Sequence, residues 1–99
     1  MNGIQHVSIE ELKEWSASQR DFDLIDVREV SENLEFNIGG KCIPLSQISR
    51  LEEAIQKGKP TVIYCRKGVR SQIAIQRLAQ KMDTEFLYNL TNGIEALKP

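Results

Sequence analysis

Histidine and cysteine are scarce in this chain, and each scarcity excludes chemistry. His6 is the sole histidine among 99 residues, and Cys42 and Cys65 are the two cysteines. A structural zinc site draws four ligands mainly from those residue types, so no metal is expected. One possible bridge and no Cys-x-x-Cys make a poor disulfide framework. A Ser-His-Asp or Cys-His nucleophile would need His6 to fold into the site. Otherwise, a reactive cysteine here must be activated by something other than an imidazole. Excess positive charge is missing as well. Thirteen Lys plus Arg stand against fourteen Asp plus Glu, for a net charge of −1. Nucleic-acid and membrane-surface binders normally carry a basic surplus, so neither partner is expected. Apolar runs are only a few residues long, too short to span a bilayer. Met1 to Gln5 lacks a charged segment leading into an apolar one, so a cytoplasmic location is expected.

What is present suits one globular unit. A chain that is 40% hydrophobic and 27% charged can bury a core, and its length matches a single domain over residues 1–99. Ser8 and Glu11 have capping-box spacing ahead of the stripe Ile9, Leu12 and Trp15. Phe22 to Val27 reads as a buried strand. Arg28 to Phe36 follows as a short helix with a sparse apolar pattern at Val30 and Leu34. Gly39-Gly40 breaks it before a very short strand at Cys42-Ile43. Ser49 and Glu52 repeat the capping-box spacing before Leu51, Ala54 and Ile55, and Gly58 is read as the stop. Thr61 to Tyr64 is the best strand. The strongest helical face is Ser71, Ala74, Ile75, Leu78, Ala79 and Met82. A last strand at Glu85 to Leu90 and a short helix from Gly93 to Leu97 complete the pattern. Strands alternating with helices predict an α/β fold with a mainly parallel sheet.

Parallel sheets place function at the carboxyl ends of their strands, and Cys65 follows the best strand. A helix expected about six residues later would aim backbone N–H groups and the positive end of its dipole at the sulfur. Arg66, Lys67 and Arg70 add three cations, and Gly68 permits a tight turn. Such a field favours a thiolate and also binds an anionic substrate or a terminal sulfur anion.

At this point the residues resemble a family. Leu24 to Glu29, Ile43-Pro44-Leu45 and Val62 to Ser71 together look like a rhodanese domain, with order and spacing kept from about Phe22 to Gly93. Rhodaneses are sulfurtransferases that pass sulfane sulfur through a cysteine persulfide. The resemblance implies a five-stranded, mainly parallel sheet with helices on both faces. It also implies a persulfide on Cys65, a sulfur-binding loop of Arg66, Lys67, Gly68, Val69 and Arg70, and supporting positions at Asp26 and Arg28. Four residues separate Cys65 from Arg70. The related cell-cycle phosphatases have a longer loop, which fits phosphate. Arg66-Lys67-Gly68 resembles the loop of thiosulfate-using members, so thiosulfate is the expected donor and a thiol or cyanide the acceptor, with no cofactor. Glu35 to Lys41 instead looks more like the rhodanese domains attached to the adenylyltransferases of molybdopterin and thiamine biosynthesis. That likeness keeps a sulfur-carrier or docking domain, with protein donors and acceptors, as the alternative. A cysteine phosphatase ranks behind both. Leu97 stands where many members have tryptophan.

The remaining residues read more quietly. Cys42 is taken as a small buried hydrophobe, and Asp26 and Arg28 as scaffold. Arg70 is divided between anion contact and pairing with Asp26, Glu29 or another carboxylate. Ser71 is read as a helix N-terminal residue whose backbone N–H, more than its hydroxyl, faces the loop. Glu29, Glu32 and Glu35 read as a solvated face, and His6 as an exposed terminal residue without a function.

Overall fold

The computed structural model describes residues 3–99. Among the described residues, five strands form one sheet: β1 (Gln5–Val7), β2 (Asp23–Asp26), β3 (Lys41–Cys42), β4 (Thr61–Tyr64) and β5 (Leu87–Leu90). Their order is β1-β5-β4-β2-β3, and every neighbouring pair is parallel. Four helices connect them: α1 (Ile9–Ala17), α2 (Val30–Glu35), α3 (Ile48–Ala54) and α4 (Val69–Leu78). Single turns of 3-10 helix occupy Leu45–Gln47 and Glu95–Leu97.

The period-two alternation of the strands divides the core into two layers. Ile25, Ile63 and Leu87 face one side, where Leu51 of α3 and Ala74, Ile75 and Leu78 of α4 cover them. Val7, Val62, Tyr64 and Leu90 face the other side, against Leu12 of α1 and Ile94. All four residues of β4 are buried, as befits the central strand of a sheet covered on both faces. Trp15 closes the α1 layer, with its ring edge-on to Phe22 at 5.5 Å and to Tyr88 at 5.2 Å.

Local chemistry explains where several helices begin. Ser8 accepts from the N–H of Glu11, and Glu11 accepts from the N–H of Ser8, both at 3.0 Å. That closes the expected capping box. The second such spacing does not work the same way. α3 already begins at Ile48, fed by the 3-10 turn, so Ser49 lies inside the helix and cannot cap it. The helix also ends at Ala54, before Gly58. α4 starts earlier than expected, at Val69 with Gly68 as its N-cap, and stops at Leu78. Ala79 is therefore exposed rather than part of the buried face. α2 buries none of its residues, and Val30 and Leu34 point to solvent. β1 escapes sequence reading because three residues are too short to show a period.

Candidate active site

β4 delivers Cys65 to the carboxyl edge of the sheet, where the residue is 1% exposed. Its strand parity sends the side chain to the α3/α4 face. The chain then turns within three residues into α4, and that sharp turn folds the loop around the sulfur. Cys65 Sγ accepts from the N–H of Gly68 at 3.1 Å and from the N–H of Ser71 at 3.4 Å. The Ser71 hydroxyl stands 3.3 Å from the same sulfur. Ser71 is thus the third residue of α4, and its hydroxyl contacts the sulfur as closely as its N–H. Unpaired N–H groups of a helix's first turn attract negative charge, and here two are spent on one sulfur atom.

Two glycines hold this cradle. Gly68 has φ +91°, the left-handed region, which turns its N–H inward toward Sγ. Gly93, with φ +64°, lets the segment after β5 press against the outside of the loop. There the N–H of Ile94 donates to the Cys65 carbonyl at 3.1 Å, and that of Glu95 to the Arg66 carbonyl at 3.0 Å. Those two bonds fasten the first peptide units of the loop to the segment after β5.

The expected basic field is largely paired. Arg66 donates to Glu95 at 2.6 Å, and Lys67 lies 3.7 Å from the same carboxylate. Arg70 makes a two-pronged pair with Glu32 at 2.7 and 2.8 Å. Lys98 pairs with Glu35. The acidic stretch of α2 is therefore one wall of a small cleft with Arg28, Arg66 and Glu95, not merely a solvated face. The Arg66 hydrogen bond holds the Glu95 carboxyl below the usual range. Val69 is 62% exposed at the rim.

Arg70 has the largest effect on its partner. Its hydrogen bonds, against the opposing pull of burial, bring the Glu32 carboxyl down to about 2. A carboxyl depressed in the folded state adds stability above its unfolded range that is lost as pH falls through the folded value. Urea midpoints are therefore expected to drop between about pH 4.5 and about pH 2. Glu32→Gln should remove about 1–2 kcal/mol of that acid-sensitive part, allowing for solvent screening of a half-buried pair. An unchanged acid limb in the variant would assign the loss to other groups.

Asp26 and Arg28 are buried and consumed by one another. Arg28 Nε lies 3.0 and 3.1 Å from the two carboxylate oxygens, and its Nη2 lies 2.9 Å from Oδ2. Asn33 donates to Asp26 at 3.0 Å, and Arg28 donates to the Phe36 carbonyl at 2.5 Å. This network ties the end of β2 to the middle and the C-terminal end of α2. Cys42 is half-buried, with its thiol 3.6 Å from the Arg28 carbonyl. Burial, assisted by the Asp26 charge, pushes that thiol upward.

Several members of the site are invisible in the linear sequence. Glu32 of α2, and Gly93 and Glu95 after β5, come from two segments distant in sequence and meet the loop only through folding. Another pair, His6 and Asn89, joins it through the sheet, with His6 Nδ1 3.1 Å from Asn89 Nδ2.

The chain thus joins a parallel α/β sheet to a buried thiol at the mouth of a strand-to-helix loop. Residues 8–99 match the profile of the rhodanese-like domain, and the chain belongs to that family. It is 40% identical over 84 residues to the uncharacterized protein YqhL of Bacillus subtilis, covering 84% of this chain and 66% of YqhL. It is 28% identical over 97 residues to the thiosulfate sulfurtransferase GlpE of Coxiella burnetii, covering 96% of this chain and 90% of GlpE. Among solved structures, the human single domain sulfurtransferase TSTD1 superposes with a TM-score of 0.74 at 28% identity, with 96% of each chain covered.

Proposed function

We propose that this chain, acting as one domain over residues 1–99, is a sulfurtransferase whose sulfur carrier is Cys65. The observation that carries the reading is the cradle: two backbone N–H groups and one hydroxyl converge on a single sulfur at the start of α4. A thiolate there attacks the outer sulfur of thiosulfate. The S–S bond of the donor breaks, sulfite leaves with the bonding pair, and Cys65 keeps a persulfide anion. Cyanide or an acceptor thiolate then takes the outer sulfur and restores the thiolate. Gly68 and Ser71 stabilise the anion, Arg66, Lys67 and Arg70 with Val69 form the rim that receives the donor, and Asp26 and Arg28 hold the neighbouring loop in place. The reaction needs neither metal nor cofactor, and a reducing cytoplasm would keep both thiols free.

Intact mass spectrometry tests this directly. Thiosulfate treatment is expected to add one sulfur atom to the chain, and cyanide to remove it. Failure to gain sulfur from thiosulfate, together with a gain from a protein persulfide, would move the chain to the carrier reading. A specific observation favours keeping that second reading: the three rim cations share Glu95 and Glu32, so a free dianion meets a field reduced to about one net positive charge. Accordingly, Glu95→Gln is expected to lower the KM for thiosulfate about three- to tenfold at low salt, with kcat little changed. A higher KM would mean that Glu95 orders the loop for the donor. Cys65-dependent hydrolysis of an aryl phosphate, measured alongside, would replace sulfur transfer with the phosphatase reading. Arg70 speaks against it, since its Nη1 and Nη2 each donate to Glu32.

A further inference from the structure

The sulfur of Cys65 is one end of a hydrogen-bonded row that runs along one face of the sheet from the central strand to the β1 edge. Strand register places His6 of β1 beside Asn89 of β5, and Asn89 beside Ile63 of β4. Asn89 shares the α4-facing side of the sheet with Cys65. The Ser71 hydroxyl, 3.3 Å from Sγ, donates to Asn89 Oδ1, and Asn89 Nδ2 lies 3.1 Å from His6 Nδ1. Ser71 and Asn89 are buried, at 0% and 1% exposure, while His6 is exposed. The row therefore links an enclosed sulfur to a solvent-facing imidazole.

Proton counting gives this row two states. An amide has a donating end and an accepting end, and a buried one must satisfy both. In the arrangement observed, Asn89 donates to His6, so Nδ1 carries no proton. Ser71 gives its only proton to Asn89 and turns a lone pair toward the sulfur. That suits a thiol, which has a proton to donate. A thiolate or persulfide anion has none and needs the Ser71 proton. If Ser71 turns its proton to the sulfur, Asn89 Oδ1 loses its donor. A flip of the amide restores every bond: Nδ2 donates to Ser71 Oγ, and Oδ1 accepts from His6. The flipped state requires a proton on Nδ1. His6 supplies it as the imidazolium or as the other neutral tautomer, exchanging protons with solvent.

We infer that Asn89 and His6 are positioning residues which switch the Ser71 hydroxyl from accepting from the Cys65 thiol to donating to its sulfur anion. The inference rests on the reading that Cys65 carries the reaction. It assigns the sole histidine a task at a distance, without contact with the reacting atoms. Linkage makes the effect reciprocal: an anion on Cys65 favours a proton on Nδ1, and a proton on Nδ1 favours the anion. Other groups along the groove beside His6 are the neutral Gln72 and Gln76 of α4 and the carboxylates of Asp83 and Glu85 before β5.

Because the chain has one histidine, its nitrogen-15 spectrum reports this switch without assignment. In the whole protein, the His6 signals are expected to move from the Nε2–H form toward Nδ1–H as Cys65 deprotonates. Capping the thiol with iodoacetamide should abolish that response. Iodoacetamide kinetics supply the second readout. His6→Leu removes the partner of the flipped amide and should slow alkylation near neutral pH about three- to tenfold, the worth of one hydrogen bond. His6→Gln can serve either orientation of Asn89 and should restore the rate to within about twofold of wild type. His6 is exposed on an edge strand, so neither variant removes core packing. Nitrogen-15 signals indifferent to the state of Cys65, or a His6→Leu profile that overlays wild type, would overturn the inference. Both readouts use the bare thiol, so they stand or fall separately from sulfur uptake.

Discussion

Cys65→Ser is expected to abolish turnover with thiosulfate and cyanide and to eliminate the sulfur mass increment. Cys42→Ser should keep both within about twofold of wild type. The contrast follows from what each sulfur faces. Cys65 Sγ receives two backbone N–H groups and stands beside a hydroxyl, all at the positive end of α4. Cys42 sits on the edge strand β3 beside Asp26, where burial and then the Asp26 charge oppose ionisation of the thiol. A serine oxygen at position 65 would accept the same hydrogen bonds, so the fold should survive, but it cannot form or release a persulfide. Activity that persisted in Cys65→Ser and vanished in Cys42→Ser would reverse the assignment of the two thiols.

Gly93→Ala is expected to be the most damaging single-methyl change near the site. A Cβ at this position would lie 2.4 Å from the Arg66 carbonyl oxygen and 2.5 Å from that of Cys65. Those atoms are backbone, so no side chain can swing aside to relieve the overlap. The left-handed backbone adds its own penalty for any residue with a Cβ. Together these should remove about 3 kcal/mol or more of stability. The segment after β5 would be forced away, releasing the carbonyls that it fastens. Urea denaturation should show the loss, and alkylation of Cys65 in the folded protein should show a disordered cradle. A variant that kept wild-type stability and reactivity would mean that the loop holds its shape unaided.

Sequence reading succeeded where a property is local. Thr61 to Tyr64 is a strand as expected, because a run of branched and aromatic residues suits a buried central position whatever surrounds it. The Ser8 capping box formed because all its partners lie within one turn. The same spacing at Ser49 and Glu52 misled, because the 3-10 turn from Leu45 had already started the helix. Val30 and Leu34 misled for a different reason. α2 is held by polar groups, through Glu32, Asn33 and the Asp26–Arg28 pair, and so needs no buried apolar face.

By itself, the sequence determined the α/β class, the strand that leads to Cys65, and the basic run of Arg66 to Arg70 that opens an amphipathic helix. These depend on residues adjacent along the chain, and their short-range patterns survive without knowledge of the fold. Only the tertiary structure decided what the loop meets. Glu95 and Glu32 pair with its cations from positions 29 and 38 residues away, and Gly93 props its outer side. Asn89 and His6 reach its sulfur side through parallel strand register, which brings residues 83 apart into hydrogen-bonding distance. Parallel pairing always joins segments separated by a crossover, so no local pattern encodes which side chains it will align.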